Sequence, residues 1–97
     1  MDGLIEGRIV HFVMPDGKHA PAIVVKVWND NGLSNLQVIT DGSNALPYTP
    51  EEKTQFSNFG MDLEAVKHGH VWMTSRSYSE EPKPGTWHWV EKTPPAQ

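Results

Sequence analysis

The fold of this chain is decided by one stretch, residues 5–28, which reads I-E-G-R-I-V-H-F-V-M-P-D-G-K-H-A-P-A-I-V-V-K-V-W. Residues 5–14 are rich in β-branched and aromatic side chains, a composition typical of a strand. In residues 15–18, P-D-G-K, the proline presets a type I turn and Gly17 can adopt a positive φ. Residues 20–28 are again rich in β-branched side chains. The stretch therefore predicts a β-hairpin.

Each strand of this hairpin offers two rows of side chains, because successive residues of a strand point to opposite faces. In the first strand the rows are Ile9, His11 and Val13 on one face, and Arg8, Val10 and Phe12 on the other. In the second strand they are Ile23, Val25 and Val27 on one face, and Val24, Lys26 and Trp28 on the other. The Ile23 row is wholly apolar, so we predict that it faces the core.

Three further strands extend the hairpin. N-D-N-G, residues 29–32, predicts a second tight turn, because Asn and Gly tolerate the left-handed region. Residues 33–40 and 70–79 alternate polar and apolar side chains, and T-W-H-W-V, residues 86–90, predicts a short closing strand. The pattern predicts a mainly β fold, either a small SH3-like barrel or an antiparallel meander, with one short helix.

The helix falls in the middle of the chain, where the alternation stops. Residues 45–60 are mostly polar and contain two prolines, so they predict an irregular loop. M-D-L-E-A-V-K-H-G, residues 61–69, predicts the short helix, with Asp62 as its N-cap and Gly69 after its last turn. We expect all 97 residues to form a single small β-rich domain with an irregular insertion at about 47–70.

Composition excludes several classes of function. The chain carries 8 Lys and Arg against 12 Asp and Glu, a net charge of −4, so binding to duplex nucleic acid is disfavoured. The absence of cysteine excludes disulfides and thiolate zinc sites. No stretch has the length and apolarity of a membrane span or a secretory signal, so we expect a cytoplasmic protein. A chain this short buries only about 60–65% of its unfolded surface, so we expect a homo-oligomer, a dimer or tetramer.

No catalytic or metal motif stands out. His68 and His70 lie two residues apart and would reach one ion from a strand, but spacing places no third ligand near them. Ser75 and Ser77 lack the G-x-S-x-G context of a nucleophile, and no glycine-rich loop cradles a phosphate. The sequence predicts no catalytic residue, no metal site and no cofactor.

Two of the four tryptophans, Trp87 and Trp89, lie in P-G-T-W-H-W, residues 84–89. On a strand these two side chains share one face, and His88 takes the other. Three interpretations remain open. The pair closes one end of a barrel, an indole stacks on a nucleotide base, or the pair is buried between subunits.

Four segments carry a resemblance to a known family: R-I-V-H-F, A-I-V-V-K-V-W, N-L-Q-V-I-T-D-G-S-N and S-Y-S-E-E-P-K-P-G-T-W-H-W-V-E. They resemble a family of small proteins encoded by bacteriophages and prophages, most of which end in a near-identical P-G-T-W-H-W segment. The resemblance covers residues 7–92 apart from 47–70. Many members have proline at the position of Val90, a departure that affects the exit of the last strand.

Small phage proteins of this size that lack enzyme motifs include anti-defence sponges, which bind the cyclic-nucleotide immune signals of the host. The resemblance therefore implies a non-enzymatic protein that sequesters a small nucleotide ligand of this kind. The alternatives are a protein-binding inhibitor of a host factor and a small structural phage protein. The ligand-binding residues would supply ring faces, charge and polar edges: Trp87, Trp89, His88, Tyr78, His11, Arg8, Arg76, Lys26, Asp41 and Asn44.

Overall fold

The predicted hairpin forms the first part of a five-stranded sheet. The computed structural model describes residues 1–40 and 49–91. In chain order the strands and helices are β1 (Ile9–Val13), β2 (His19–Val27), β3 (Ser34–Ile39), α1 (Pro50–Asn58), α2 (Leu63–Lys67), β4 (His70–Arg76) and β5 (Trp87–His88). The strands lie in the order β4-β3-β2-β1-β5, and every neighbouring pair is antiparallel. The prediction of a mainly β, antiparallel fold is confirmed: β1 to β4 form a meander, and β5 departs from it by pairing with β1.

Within the described residues the sheet is not closed into a barrel, which decides between the two predicted architectures. β5 pairs with β1, and Trp87 lies opposite Phe12. On the other side of β5, a single parallel bridge joins Trp87 to Tyr78, just beyond the end of β4. Two backbone hydrogen bonds support this bridge, from Trp87 N–H to Ser77 O at 3.0 Å and from Ser79 N–H to Trp87 O at 2.9 Å. The short β5 therefore has backbone partners on both sides.

Both predicted turns are confirmed. In the first, Gly17 has a φ of +87°, and its N–H donates to Met14 O at 2.8 Å. In the second, Asn29 Oδ1 accepts hydrogen bonds from the backbone N–H groups of Asn31 and Leu33, at 3.0 and 3.2 Å. Each turn satisfies its polar groups within a few residues, so the local sequence is sufficient to predict it.

The core lies between one face of the sheet and the two helices. Phe56 from α1 and Val66 from α2 belong to the same buried cluster as side chains from all five strands. The strand residues of this cluster are Val10, Phe12, Ala20, Ala22, Val24, Leu36, Val38, Val71, Met73 and Trp87. The opposite face of the sheet, which we call the outer face, carries no helix among the described residues.

The predicted core row of β2 is wrong. Of the row that we expected to be buried, Ile23 is only partly buried and Val25 is exposed, whereas Val27, beyond the bulge after Val24, is partly buried and packs against the core. The buried row consists instead of Ala20, Ala22 and Val24. The cause is the strand register, because Ala22 lies between Val10 of β1 and Val38 of β3, and both of these valines are fully buried. The greater hydrophobicity of the larger side chains does not decide which face of β2 is covered.

α1 corrects the prediction of an irregular loop at residues 45–60. Thr49 caps this helix: its Oγ1 accepts the N–H of Glu52 at 3.2 Å, and Glu52 Oε1 accepts the N–H of Thr49 at 3.0 Å. Pro50 occupies the first helical position, where no backbone N–H is needed. The proline therefore begins a helix here and does not mark a loop. Residues 45–48 lie outside the described residues.

The predicted helix at residues 61–69 is confirmed as α2. Asp62 is its N-cap, with Oδ1 accepting the N–H of Glu64 at 2.9 Å, and Gly69 follows with a φ of +99°. The described residues thus contain two short helices where the sequence predicted one. Among residues 1–40 and 49–91, no helix has the length and apolar character that crossing a membrane requires.

Candidate metal centre

Three histidines from three different strands meet on the outer face of the sheet. His19 of β2 pairs with Val13 of β1. His11 lies two residues before Val13 on β1, so His11 and His19 share one face of the sheet. His11 pairs directly with His88 of β5. The centroids of the three imidazole rings lie 4.7, 5.8 and 6.0 Å apart. The hairpin register and the β1–β5 pairing therefore bring together side chains that are far apart in sequence.

The carboxylate of Glu91 contacts all three imidazoles. Its Oε2 lies 2.5 Å from His11 Nδ1, and its Oε1 lies 3.0 Å from His19 Nδ1. The same Oε1 forms a hydrogen bond with His88 Nε2. One ligand atom from each of these four residues lies within 4.8 Å of the other three. We call this set of His11, His19, His88 and Glu91 the His–Glu cluster.

Glu91 is ionised at neutral pH. Burial alone would raise the pKa of this carboxyl group. Its backbone N–H and its hydrogen bonds with His11 and His88 have the larger combined effect, and they lower the pKa of Glu91 to about 2. The cluster thus contains a carboxylate anion, which is the form that binds a metal ion.

Two buried nitrogens of the cluster have no hydrogen-bond partner among the described residues, His19 Nδ1 and His88 Nδ1. His19 Nδ1 is 3.0 Å from Glu91 Oε1, but the two atoms are not aligned as donor and acceptor. Buried polar nitrogens are rarely left without a partner in folded proteins. An ion at the centre of the cluster would give His19 Nδ1 a partner.

The donor set suits zinc and related divalent transition metals. Three imidazole nitrogens and one carboxylate oxygen are ligands that Zn²⁺ accepts, in a tetrahedral arrangement with donor atoms about 3.3 Å apart. The cluster is also shielded from water, since the side chains of His88 and His19 are only 9% and 14% exposed. His11 and Glu91 are more accessible, at 23% and 29%.

Two of the residues predicted to bind a ligand, His11 and His88, belong to the His–Glu cluster. Trp87, by contrast, is part of the core: it is 0% exposed, and its indole N–H donates to Gly32 O at 2.7 Å. Its ring packs edge-on against Tyr78 and Trp89, with centroids 5.0 and 5.3 Å away. Among the open interpretations of Trp87, its position fits a role in closing the core.

Of the other predicted ligand-binding residues, Arg8 lies beside Trp89, whereas Lys26 and Arg76 have contacts elsewhere. The Arg8 guanidinium is 5.8 Å from the ring centre of Trp89. Lys26 is 4.2 Å from the ring centre of Trp28, at the far end of β2 from His19. Arg76 donates to Phe59 O at 2.8 Å, and burial lowers the pKa of its guanidinium. Asp41 and Asn44 lie outside the described residues.

The pair His68 and His70, considered above as possible ligands, is not the site. His68 follows α2 and His70 begins β4, and both are largely exposed. In residues 1–40 and 49–91, the only group of three or more metal-type ligands is the His–Glu cluster. The sequence signal for it was the hairpin itself, because a tight turn at residues 15–18 fixes His11 and His19 on one face.

Comparisons with protein-family models, with curated proteins and with solved structures gave no match for this chain. The resemblance to small phage proteins therefore stays a prediction from the sequence. The geometry of the His–Glu cluster carries the functional argument instead.

Proposed function

We propose that this protein is a metal-binding domain that holds one divalent transition-metal ion, with Zn²⁺ as the best fit, at the His–Glu cluster. The proposal is carried by four donor atoms that lie within 4.8 Å of one another. Three of them come from β1, β2 and β5, and the fourth comes from Glu91, just after β5. Four protein ligands are typical of structural zinc sites, whereas catalytic zinc sites keep one position for water. We therefore propose a structural ion.

The competing account of the same geometry is a charged network without an ion. In that account Glu91 simply accepts hydrogen bonds from protonated imidazoles. The two accounts require different protonation of the imidazoles. Metal binding needs the ligating nitrogen of each imidazole to have lost its proton, whereas the network without an ion keeps that proton in the hydrogen bond to Glu91. Direct measurement of metal binding therefore distinguishes them.

The test is a titration of chelator-treated protein with Zn²⁺, followed by isothermal calorimetry and by native mass spectrometry. We expect one ion per chain. Replacing His19→Ala should weaken binding by more than about 100-fold, because it removes one of four ligands. His68→Ala is the matched control, an exposed histidine outside the cluster, and should leave binding unchanged.

Circular dichroism would verify that both variants remain folded. The proposal fails if the folded wild-type protein takes up no ion. It also fails if His19→Ala and His68→Ala bind Zn²⁺ equally well, because the ion would then lie elsewhere.

Sequestration of a small nucleotide, as implied by the sequence resemblance, is a second candidate function, and one observation favours it. Trp28 and Trp72 are 50% and 47% exposed on the outer face, and Lys26 lies against the Trp28 ring. Exposed indoles are suitable for stacking on bases. The proposed stacking residues are then Trp28 and Trp72 in place of the buried Trp87.

Tryptophan fluorescence titration with cyclic di- and trinucleotides and NAD-derived signals tests this second candidate. Saturable quenching that Trp72→Ala abolishes, with the nucleotide recovered unchanged, would support sequestration. A flat response across all of these nucleotides would exclude it.

A further inference from the structure

The C-terminal strand is attached to the rest of the sheet by few backbone contacts. β5 is two residues long and pairs with β1. Just before β5, Gly85 N–H donates to Val13 O at 2.8 Å, and Thr86 O accepts the N–H of Val13 at 2.9 Å. On the other side of β5, two backbone hydrogen bonds join Trp87 to Ser77 and Ser79. A strand of only two residues still depends on side-chain contacts to stay in place.

Residues 85–91, which we call the closing segment, make such contacts on both faces of the sheet. On the core side, Trp87 is the largest fully buried side chain among the described residues. On the outer side, His88 and Glu91 meet His11 and His19 of the hairpin. The closing segment therefore supplies two ligands of the His–Glu cluster, and the β1–β2 hairpin supplies the other two.

An ion bound at this cluster would connect two parts of the chain that are distant in sequence. Its bonds to His11 and His19 hold it on the hairpin, and its bonds to His88 and Glu91 hold the closing segment against that hairpin. Undocking the closing segment would break two of four metal bonds. It would also pull Trp87 out of the core, because Trp87 precedes His88 directly. Metal binding and burial of Trp87 are therefore coupled.

We propose that metal occupancy of the His–Glu cluster controls the docking of the closing segment, and with it the completion of the core by Trp87. This inference rests on the proposed metal-binding function. In the metal-free protein the outer side keeps the contacts of the Glu91 carboxylate with the imidazoles and the ring contacts of His88 with His11 and His19, but no metal bonds. The closing segment then opens more often, while β2, β3 and β4 keep their pairing with one another.

Hydrogen exchange measured by mass spectrometry tests the inference on the whole chain, with and without Zn²⁺. At a free Zn²⁺ concentration of about 100 times the Kd, we expect amide exchange in the closing segment to slow by about 100-fold. Exchange in β3, which contributes no ligand, should change much less. Glu91→Gln should remove most of the slowing, whereas Glu80→Gln, an exposed carboxylate before the closing segment, should preserve it.

The possible results distinguish a failure of the inference about docking from a failure of the proposed metal-binding function. If Zn²⁺ binds but exchange in the closing segment does not change, the inference is wrong and the metal-binding function stands. If β3 slows as much as the closing segment, the ion stabilises the whole sheet uniformly, and the inference is again wrong. If calorimetry shows no Zn²⁺ binding, the proposed function fails and the inference fails with it.

Discussion

Trp87 is the largest side chain that the described residues bury completely, and its polar atom is also satisfied. The indole N–H donates to Gly32 O at 2.7 Å across the end of the sheet. A buried N–H without a partner costs free energy, so this hydrogen bond adds to the stabilisation from packing of the ring. The residue therefore joins the closing segment both to the core and to the turn after β2.

Replacing Trp87→Phe should lower the free energy of unfolding by about 2–3 kcal/mol, because it leaves a cavity and removes the hydrogen bond to Gly32 O. Urea unfolding followed by circular dichroism measures this change. Trp72→Phe is the control, since Trp72 is 47% exposed and its replacement should change stability by less than about 0.5 kcal/mol. Equal losses in the two variants would contradict the role assigned to Trp87.

Among the elements, the two hairpin turns differ in what surrounds their glycines. Gly17 and Gly32 both have positive φ, +87° and +96°. No atom of the described residues lies within 4 Å of a Cβ added to Gly17. A Cβ added to Gly32 would lie 2.8 Å from Tyr78 Cβ and 3.2 Å from Trp87 Cζ2. The turn after β2 therefore packs against the core as well as reversing the chain.

We expect Gly17→Ala to destabilise the protein by about 1–2 kcal/mol, the cost of a side chain in the left-handed region. Gly32→Ala should cost about 1–3 kcal/mol more, because its methyl group also displaces Tyr78 and Trp87. Urea unfolding of both variants under one set of conditions gives the difference directly. If the two variants lose the same stability, the contact with Tyr78 does not constrain this turn.

Local sequence was sufficient for the elements whose signals lie within a few residues. The turns at Gly17 and Gly32 and the cap at Asp62 all depend on neighbouring side chains. The choice of core face in β2 was wrong because it depends on the register with β1 and β3. A bulge after Val24 adds to the difficulty, since it places Lys26 opposite Asn35 and shifts the alternation of the strand.

The His–Glu cluster was missed for the same physical reason. Its four ligands come from β1, β2, β5 and the residues after β5. His88 and Glu91 have the H-x-x-E spacing found in some metal sites, but one such pair places no third or fourth ligand. Only the pairing of His11 with His88 reveals that the closing segment meets the hairpin on the outer face. That pairing joins strands far apart in sequence, and nothing in the local pattern specified it.

At the scale of the whole molecule, the proposed ion should stabilise the fold in a pH-dependent way. At about 100 times the Kd, Zn²⁺ should add about 2.7 kcal/mol to the free energy of unfolding near pH 7.5. This gain should be smaller at about pH 5.5, because protons compete with the ion for its ligand nitrogens. Glu91 is not the cause of the loss, because its pKa is lowered to about 2 and its stabilising effect persists until the pH falls towards that value.

Urea unfolding with and without Zn²⁺ at the two pH values measures this effect, and His19→Ala should gain less than about 0.4 kcal/mol at either. A gain of equal size at both pH values would mean that imidazoles do not hold the ion.

The expected homo-oligomer stays a prediction, and light scattering of the same samples would measure the number of chains.

The pairing of β5 with β1 has a consequence for synthesis on the ribosome. Among the described strands β1 is synthesised first and β5 last, so β1 lacks its second neighbour until the residues between them have been made. Until then β1 has one open edge, and the space for Trp87 in the core is empty. A nascent chain interrupted before Trp87 would expose both to chaperones and proteases, so the folding of this domain reports that translation has passed the closing segment.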